Sequence, residues 1–254
     1  AGNRNKTQDD DFIFKFNTSY RFTDDLMTYL TISEGYRQGG INSGPACENP
    51  LPPGQNVCLL PDEVLISPDT TVNYELGLRS TWLDGALLVN ASIYYIDWED
   101  IQVAGTSVNG SAAITVNGSS AESKGLELSS QWQMTDTFRL AASYSYNDAQ
   151  LTSFAPGLVD GYDAFDGDRL SGTPEHQGNL ALIYDRPLND RWNLEADYSM
   201  TAVSDVYTKV GLRNNGEVLG GYALHNAAIG LSSDRWTVRL YADNLFDKYA
   251  VTSV

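Results

Sequence analysis

The chain has 254 residues, a formal net charge of −17 and a pI near 4.3. That acidic balance excludes nucleic acid as a partner, because phosphates would be repelled. No window of about 18 apolar residues occurs, which excludes a membrane-crossing helix but not membrane strands, since only every second residue of such a strand meets lipid.

The opening tract AGNRNKTQDD is polar, carries no secretory signal peptide and reads as the middle of something longer. Alternation begins at Phe12. Phe12, Phe14, Phe16, Tyr20 and Phe22 oppose Ile13, Lys15, Asn17, Ser19 and Arg21. Successive strand side chains point to opposite faces, so this pattern predicts a strand with one apolar and one wet face. The turn Thr23-Asp24-Asp25 leads into a weaker strand signal at Leu26–Ile32.

A long Pro/Gly-rich connection, roughly 39–68, holds both cysteines, Cys47 and Cys58, in CENPLPPGQNVC. Free thiols or metal ligation are the alternatives. With no histidine nearby and two sulfurs so spaced a poor zinc site, a local disulfide in an oxidising compartment is preferred.

Tyr74, Leu76, Leu78 and Trp82 then oppose Glu75, Gly77, Arg79 and Thr81, and Asp84-Gly85 turns the chain into a less clean strand near Leu87–Tyr95. The connection 104–120 contains two VNGS copies, Val108–Ser111 and Val116–Ser119, and predicts a small hairpin within the loop. Leu126, Leu128 and Trp132 oppose Glu127, Ser129 and Gln131; after Thr135-Asp136-Thr137, Phe138, Leu140, Ala142, Tyr144 and Tyr146 oppose Arg139, Ala141, Ser143, Ser145 and Asn147. The loop 153–172 carries the acidic–aromatic run Asp160-Gly161-Tyr162-Asp163-Ala164-Phe165-Asp166-Gly167-Asp168. Leu180–Tyr184, the turn Pro187 to Arg191, Trp192–Ala202, the loop 209–218, Tyr222–Leu231, Ser233-Asp234-Arg235 and Trp236–Asp243 complete the series.

Soluble sandwich strands also alternate. Three features favour a transmembrane barrel instead. The segments run to about ten residues, beyond the usual five or six and near the span of a tilted membrane strand. The polar faces carry ionised residues in nearly every strand, as a wet or plugged lumen allows. Aromatics collect at strand ends (Trp82, Trp98, Trp132, Trp192, Trp236), where an interfacial girdle would sit. Every second connection is long, so turns fall on one membrane face and long loops on the other, the extracellular one in outer-membrane barrels. The register predicts Phe14, Leu76, Leu140, Leu194 and Leu240 toward lipid, and Lys15, Glu75, Arg139, Glu195 and Arg239 toward the lumen.

YRFTDDLMTYLTISEGYRQGGIN, PDTTVNYELGLRSTWLDGALLVNASIYYIDWEDIQV and YADNLFDKYAVTSV closely resemble the barrel region of TonB-dependent outer-membrane receptors, from about Asp10 to Tyr249. The resemblance implies an all-β, antiparallel transmembrane barrel, with residues 1–254 supplying about ten strands of a 22-stranded plugged barrel. The family's plug, its TonB box and its closing strand have no counterpart here, so the chain is expected to be a C-terminal portion whose family function belongs to the parent protein. That function is TonB-dependent uptake of a scarce nutrient, a ferric siderophore first among them. The implied partners are a metal chelate, outer-membrane lipid and, through the plug, a TonB-type energy-transducing complex. Neither a cofactor nor covalent chemistry is expected.

Arg37, Gln38, Tyr162 and Phe165 are the candidate ligand contacts, because loops on a rigid scaffold carry binding and pockets combine aromatics with a few polar groups. Asp163, Asp166 and Asp168 are candidate ligands for a divalent cation, against the plainer reading of an acidic solvated loop. The mixed-sign inward charges suit packing against a plug better than the single-sign ring of a selective channel. His176 and His225 read as lumen or rim residues. A passive porin and an outer-membrane hydrolase are the rival functions; the hydrolase would need a Ser–His pair oriented by a third group.

Overall fold

The computed structural model describes residues 12–47, 58–107, 112–159 and 161–251. Ten strands form one antiparallel sheet in strict chain order: Lys15–Thr23, Leu26–Arg37, Asp69–Trp82, Leu87–Glu99, Ala121–Gln133, Phe138–Leu151, His176–Asn189, Trp192–Val203, Tyr222–Ser232 and Thr237–Ala242. The weak signal at Leu26–Ile32 becomes a strand of 12 residues, because pairing on both sides overrides a poor local pattern. The two outer strands are shorter than expected, 9 and 6 residues, and each pairs on one side only. Helix is confined, among the described residues, to Pro61–Val64 and the 3₁₀ turn Val210–Leu212.

Register follows the alternation. Leu30, Leu76, Ile93, Leu126 and Tyr146 lie directly opposite one another across successive strands, on the apolar face. One level down on the other face, Asn90, Ser129, Ser143, Asn179 and Thr201 form a continuous row of amides and hydroxyls. Leu194 pairs with Leu231, and Glu195 with Gly230, so the two fall on opposite faces as the period of two requires. Four of the five tryptophans, Trp82, Trp132, Trp192 and Trp236, sit on the apolar face at the turn end and are exposed. Trp98 does not join them. It is at the loop end on the polar face, with its indole N–H donating to Asp69 at 3.1 Å.

Two glycines on the polar face are there for space. Tyr29 lies over Gly77 and Tyr94 over Gly125, so that a Cβ at either position would run into the ring. The freed tyrosine hydroxyls reach further along the wall, Tyr29 to Glu75 at 2.5 Å and Tyr94 to Asn147 at 3.1 Å.

A single sheet has no second layer, so no core forms between strands. The apolar face stays open: Leu76, Ile93 and Leu240 are each more than half exposed. The buried cluster is instead in the connections, where Ile101, Ala121, Ala149, Leu151, Ala155, Leu158, Val159, Ala164, Leu170 and Val210 pack together.

Candidate functional site at the loop end

The polar face changes character at its loop end. Trp98, Ala121 and Leu151 lie opposite one another on that face, above the hydroxyl row. The long connections fold onto this apolar terminus and bury it, so they cover the polar side of the sheet rather than splaying outward. Below them the wall holds a recess of about 620 Å³, bordered by Tyr29, Arg79, Asn90, Glu127, Ser129 and Asn179.

The cover has two parts. The first joins the cysteine loop to the hairpin Gln102–Thr106/Ala113–Asn117. A small hairpin forms there as expected, but Asn117 of the second VNGS copy ends a strand rather than making the turn, and the first copy lies outside the described residues. Cys47 and Cys58 are joined by a disulfide of 2.08 Å, with Cys58 and Leu59 fully buried. Asn42 ties loop to hairpin by accepting from the Thr115 N–H at 2.9 Å and donating to its carbonyl at 2.7 Å. Asn117 does the same for Ser67. Beneath them Asp69, only 3 % exposed, accepts from the Arg37 guanidinium, the Trp98 indole and the Gln102 N–H. Arg37 also donates to the Gln102 carbonyl at 2.9 Å. Arg37 is therefore an anchor between strand ends, and Gln38 contributes its carbonyl to the Gln102 side chain.

The second part is built from Ala155–Val159, Tyr162–Ala164 and the segment 205–217. Arg213 grips Asp168 with two hydrogen bonds of 2.9 Å and lies 4.8 Å over the Phe165 ring. Phe165 packs on Phe154 at 5.4 Å. Arg169 pairs with Asp205 at 3.2 Å and stacks on Tyr207 at 4.7 Å. Burial pushes the Asp168 carboxyl up, but the Arg213 guanidinium and the Phe165 N–H outweigh it and hold Asp168 below the usual carboxylate range. A depressed folded-state pKa means the tie is at full strength above the unfolded value, near 3.9, and is lost as pH falls through the folded value. Amide exchange at 161–170 of the full-length receptor should therefore quicken only in acid below about pH 4. Asp168→Asn should quicken it at neutral pH, and equal exchange in both proteins would refute the tie.

The candidate cation ligands do not converge. Asp168 is taken by Arg213, Asp163 accepts from the Gly157 N–H at 3.0 Å, and Asp166 is exposed to solvent. Among the described residues no three His, Cys, Asp or Glu side chains group as a metal site. His176 and His225 are not lumenal; both fall on the apolar face, each with Nδ1 at a tyrosine hydroxyl, Tyr144 at 2.8 Å and Tyr198 at 2.6 Å. Tyr162 and Phe165 are exposed. Sequence reasoning missed Phe154, Arg213 and Asp69, which carry no local motif and acquire meaning only from distant partners.

The family described as "TonB dependent receptor-like, beta-barrel" matches residues 1–245. The pesticin receptor of Yersinia pestis is 23% identical over 97% of this chain and 33% of its own length. The metal-pseudopaline receptor of Pseudomonas aeruginosa is 27% identical over 71% of this chain and 24% of its own. Among solved structures, the ferric yersiniabactin uptake receptor of Yersinia pestis superposes with a TM-score of 0.71 at 20% identity, over 94% of this chain and 33% of that one. The copper transporter OprC gives 0.68 at 18% identity, over 93% and 34%. The chain thus spans about a third of the length of these full-length relatives.

Proposed function

Because this chain belongs to the TonB-dependent receptor β-barrel family, an outer-membrane family, we propose that it forms part of the wall and mouth of an importer for a scarce nutrient, a ferric siderophore in the first place. The observation that carries this reading is the inward-folded loop cover above a polar wall recess. Such a cover places loop side chains over the path that a ligand would take, and loops on rigid scaffolds are where binding groups collect. The relatives are named for pesticin, metal-pseudopaline, ferric yersiniabactin and copper; two of these four names are of metal chelates and a third is of a metal. The long connections would face outside the cell, which agrees with a disulfide there. Tyr162 and Phe165 are the contacts this reading keeps in first place; Arg37 and Gln38 support the cover from below. The chain does no covalent chemistry in this reading.

The barrel wall carries charges of both signs, and Arg239 and Asp197, on strands either side of Tyr222–Ser232, meet at 2.5 Å. A wall of this kind suits a plug moved by an inner-membrane energy source better than an open pore. In cells expressing the full-length protein, uptake of radiolabelled ferric chelate is expected to stop when the TonB-type complex is deleted. Uptake that continues unchanged would favour a passive porin.

A further inference from the structure

We infer that Phe154, Phe165 and Arg213 form a platform for a flat aryl group, so that the preferred ligand is an aryl-bearing metal chelate of low net charge. This rests on the importer reading above. Both phenylalanines adjoin the buried loop cluster yet stay about half exposed, at 52% and 45%. Phenylalanine is among the side chains most often buried, and a ring left in water forgoes part of its hydrophobic stabilisation. Their rings meet at 5.4 Å with a 50° tilt, which leaves ring surface to receive a third ring. Arg213 completes the platform by lying over Phe165, and the Asp168 carboxylate, mostly buried, fixes it in place through two hydrogen bonds.

The charge balance restricts the ligand further. The Arg213 charge is answered by Asp168, and Arg37 and Arg169 are answered by Asp69 and Asp205. The carboxylates of Asp163 and Asp166 lie on the same loop and are exposed. A multiply anionic chelate would find these guanidinium groups already neutralised and would meet like charge beside them. A weakly charged chelate with a planar ring loses nothing to repulsion and gains the ring contact.

The test uses the full-length receptor in detergent and three probes: a neutral ferric chelate of a 2-hydroxyphenyl ligand, a neutral aliphatic ferric trihydroxamate, and a trianionic ferric tris-catecholate. Binding is read from quenching of intrinsic fluorescence. The neutral aryl chelate should bind best. The double variant Phe154→Ala/Phe165→Ala should weaken it about tenfold or more and the hydroxamate by much less, while an unchanged far-ultraviolet circular dichroism spectrum shows the receptor to be folded. Phe154→Leu/Phe165→Leu, which keeps apolar volume, should weaken the aryl chelate likewise. Tightest binding by the tris-catecholate, or equal affinities in wild type and both variants, would overturn the platform while leaving the importer standing. Failure of every chelate to bind the wild-type receptor would overturn the importer reading and the platform with it.

Discussion

Leu76→Arg is expected to destabilise the membrane-inserted receptor by about 2–4 kcal/mol, the cost of an arginine facing lipid at the bilayer midplane. The depth follows from the strand. Leu76 is six residues from Trp82, which ends the strand in the exposed tryptophan line. At about 3.4 Å per residue and a tilt near 45°, that is roughly 14 Å of depth, close to the middle of an apolar band about 25 Å tall. Its cross-strand partners are Leu30 and Ile93, and Leu76 is 51% exposed on that face, so no neighbouring group offers the guanidinium a partner. Urea titration of the full-length protein in lipid vesicles would measure the change. Leu76→Phe, which keeps the face apolar, should stay within about 0.5 kcal/mol of the parent. An arginine tolerated as well as the phenylalanine would mean that this face does not meet lipid.

Asp69→Ala should have an effect of comparable size in a different place. The carboxylate is buried, and its loss leaves the Trp98 indole N–H and the Gln102 backbone N–H without their acceptor. Each unsatisfied buried donor costs about 1–3 kcal/mol. Arg37 adds little, because half of its side chain is exposed and remains hydrated. The expected result is a local opening by about 2–6 kcal/mol, seen as faster amide exchange in 58–68 and 101–107 of the full-length receptor. The strands below should keep their protection, since their ladders do not pass through Asp69. Exchange that is unchanged in those loops, or accelerated equally in every strand, would show that Asp69 does not hold the cover.

The contrast between these two residues shows where the sequence was readable. Leu76 could be placed by its neighbours alone, because period-two alternation is a local property and a slip of one residue would turn every side chain to the other face. The same logic placed Glu75, Glu195 and Leu194. It was less sure at Leu26–Arg37, whose alternation is blurred by Met27 and Tyr29 on the polar face; there Tyr29 is explained by Gly77, a residue of the next strand. Trp98 was grouped with the girdle because a strand-end tryptophan looks alike at either end. Only the register separates it from Trp82.

The loops were the least readable part. Tyr162 and Phe165 stood out as aromatics in an acidic run, yet nothing near them in the chain points to Phe154 or to Arg213. Asp168 looked like a cation ligand among other carboxylates, and Arg37 like a ligand contact near the mouth. Each is committed to a partner 45 or 32 residues away. By itself, then, the sequence determined the strands, their two faces, the alternation of short turns with long loops and the family, since each is written in residues close together or in motifs. The tertiary structure alone decided which loop charges are cancelled, which aromatics remain exposed and on which side of the sheet the loops fold. Those outcomes depend on contacts between segments far apart in the chain, and no local pattern encodes which of many compatible charges and rings will meet.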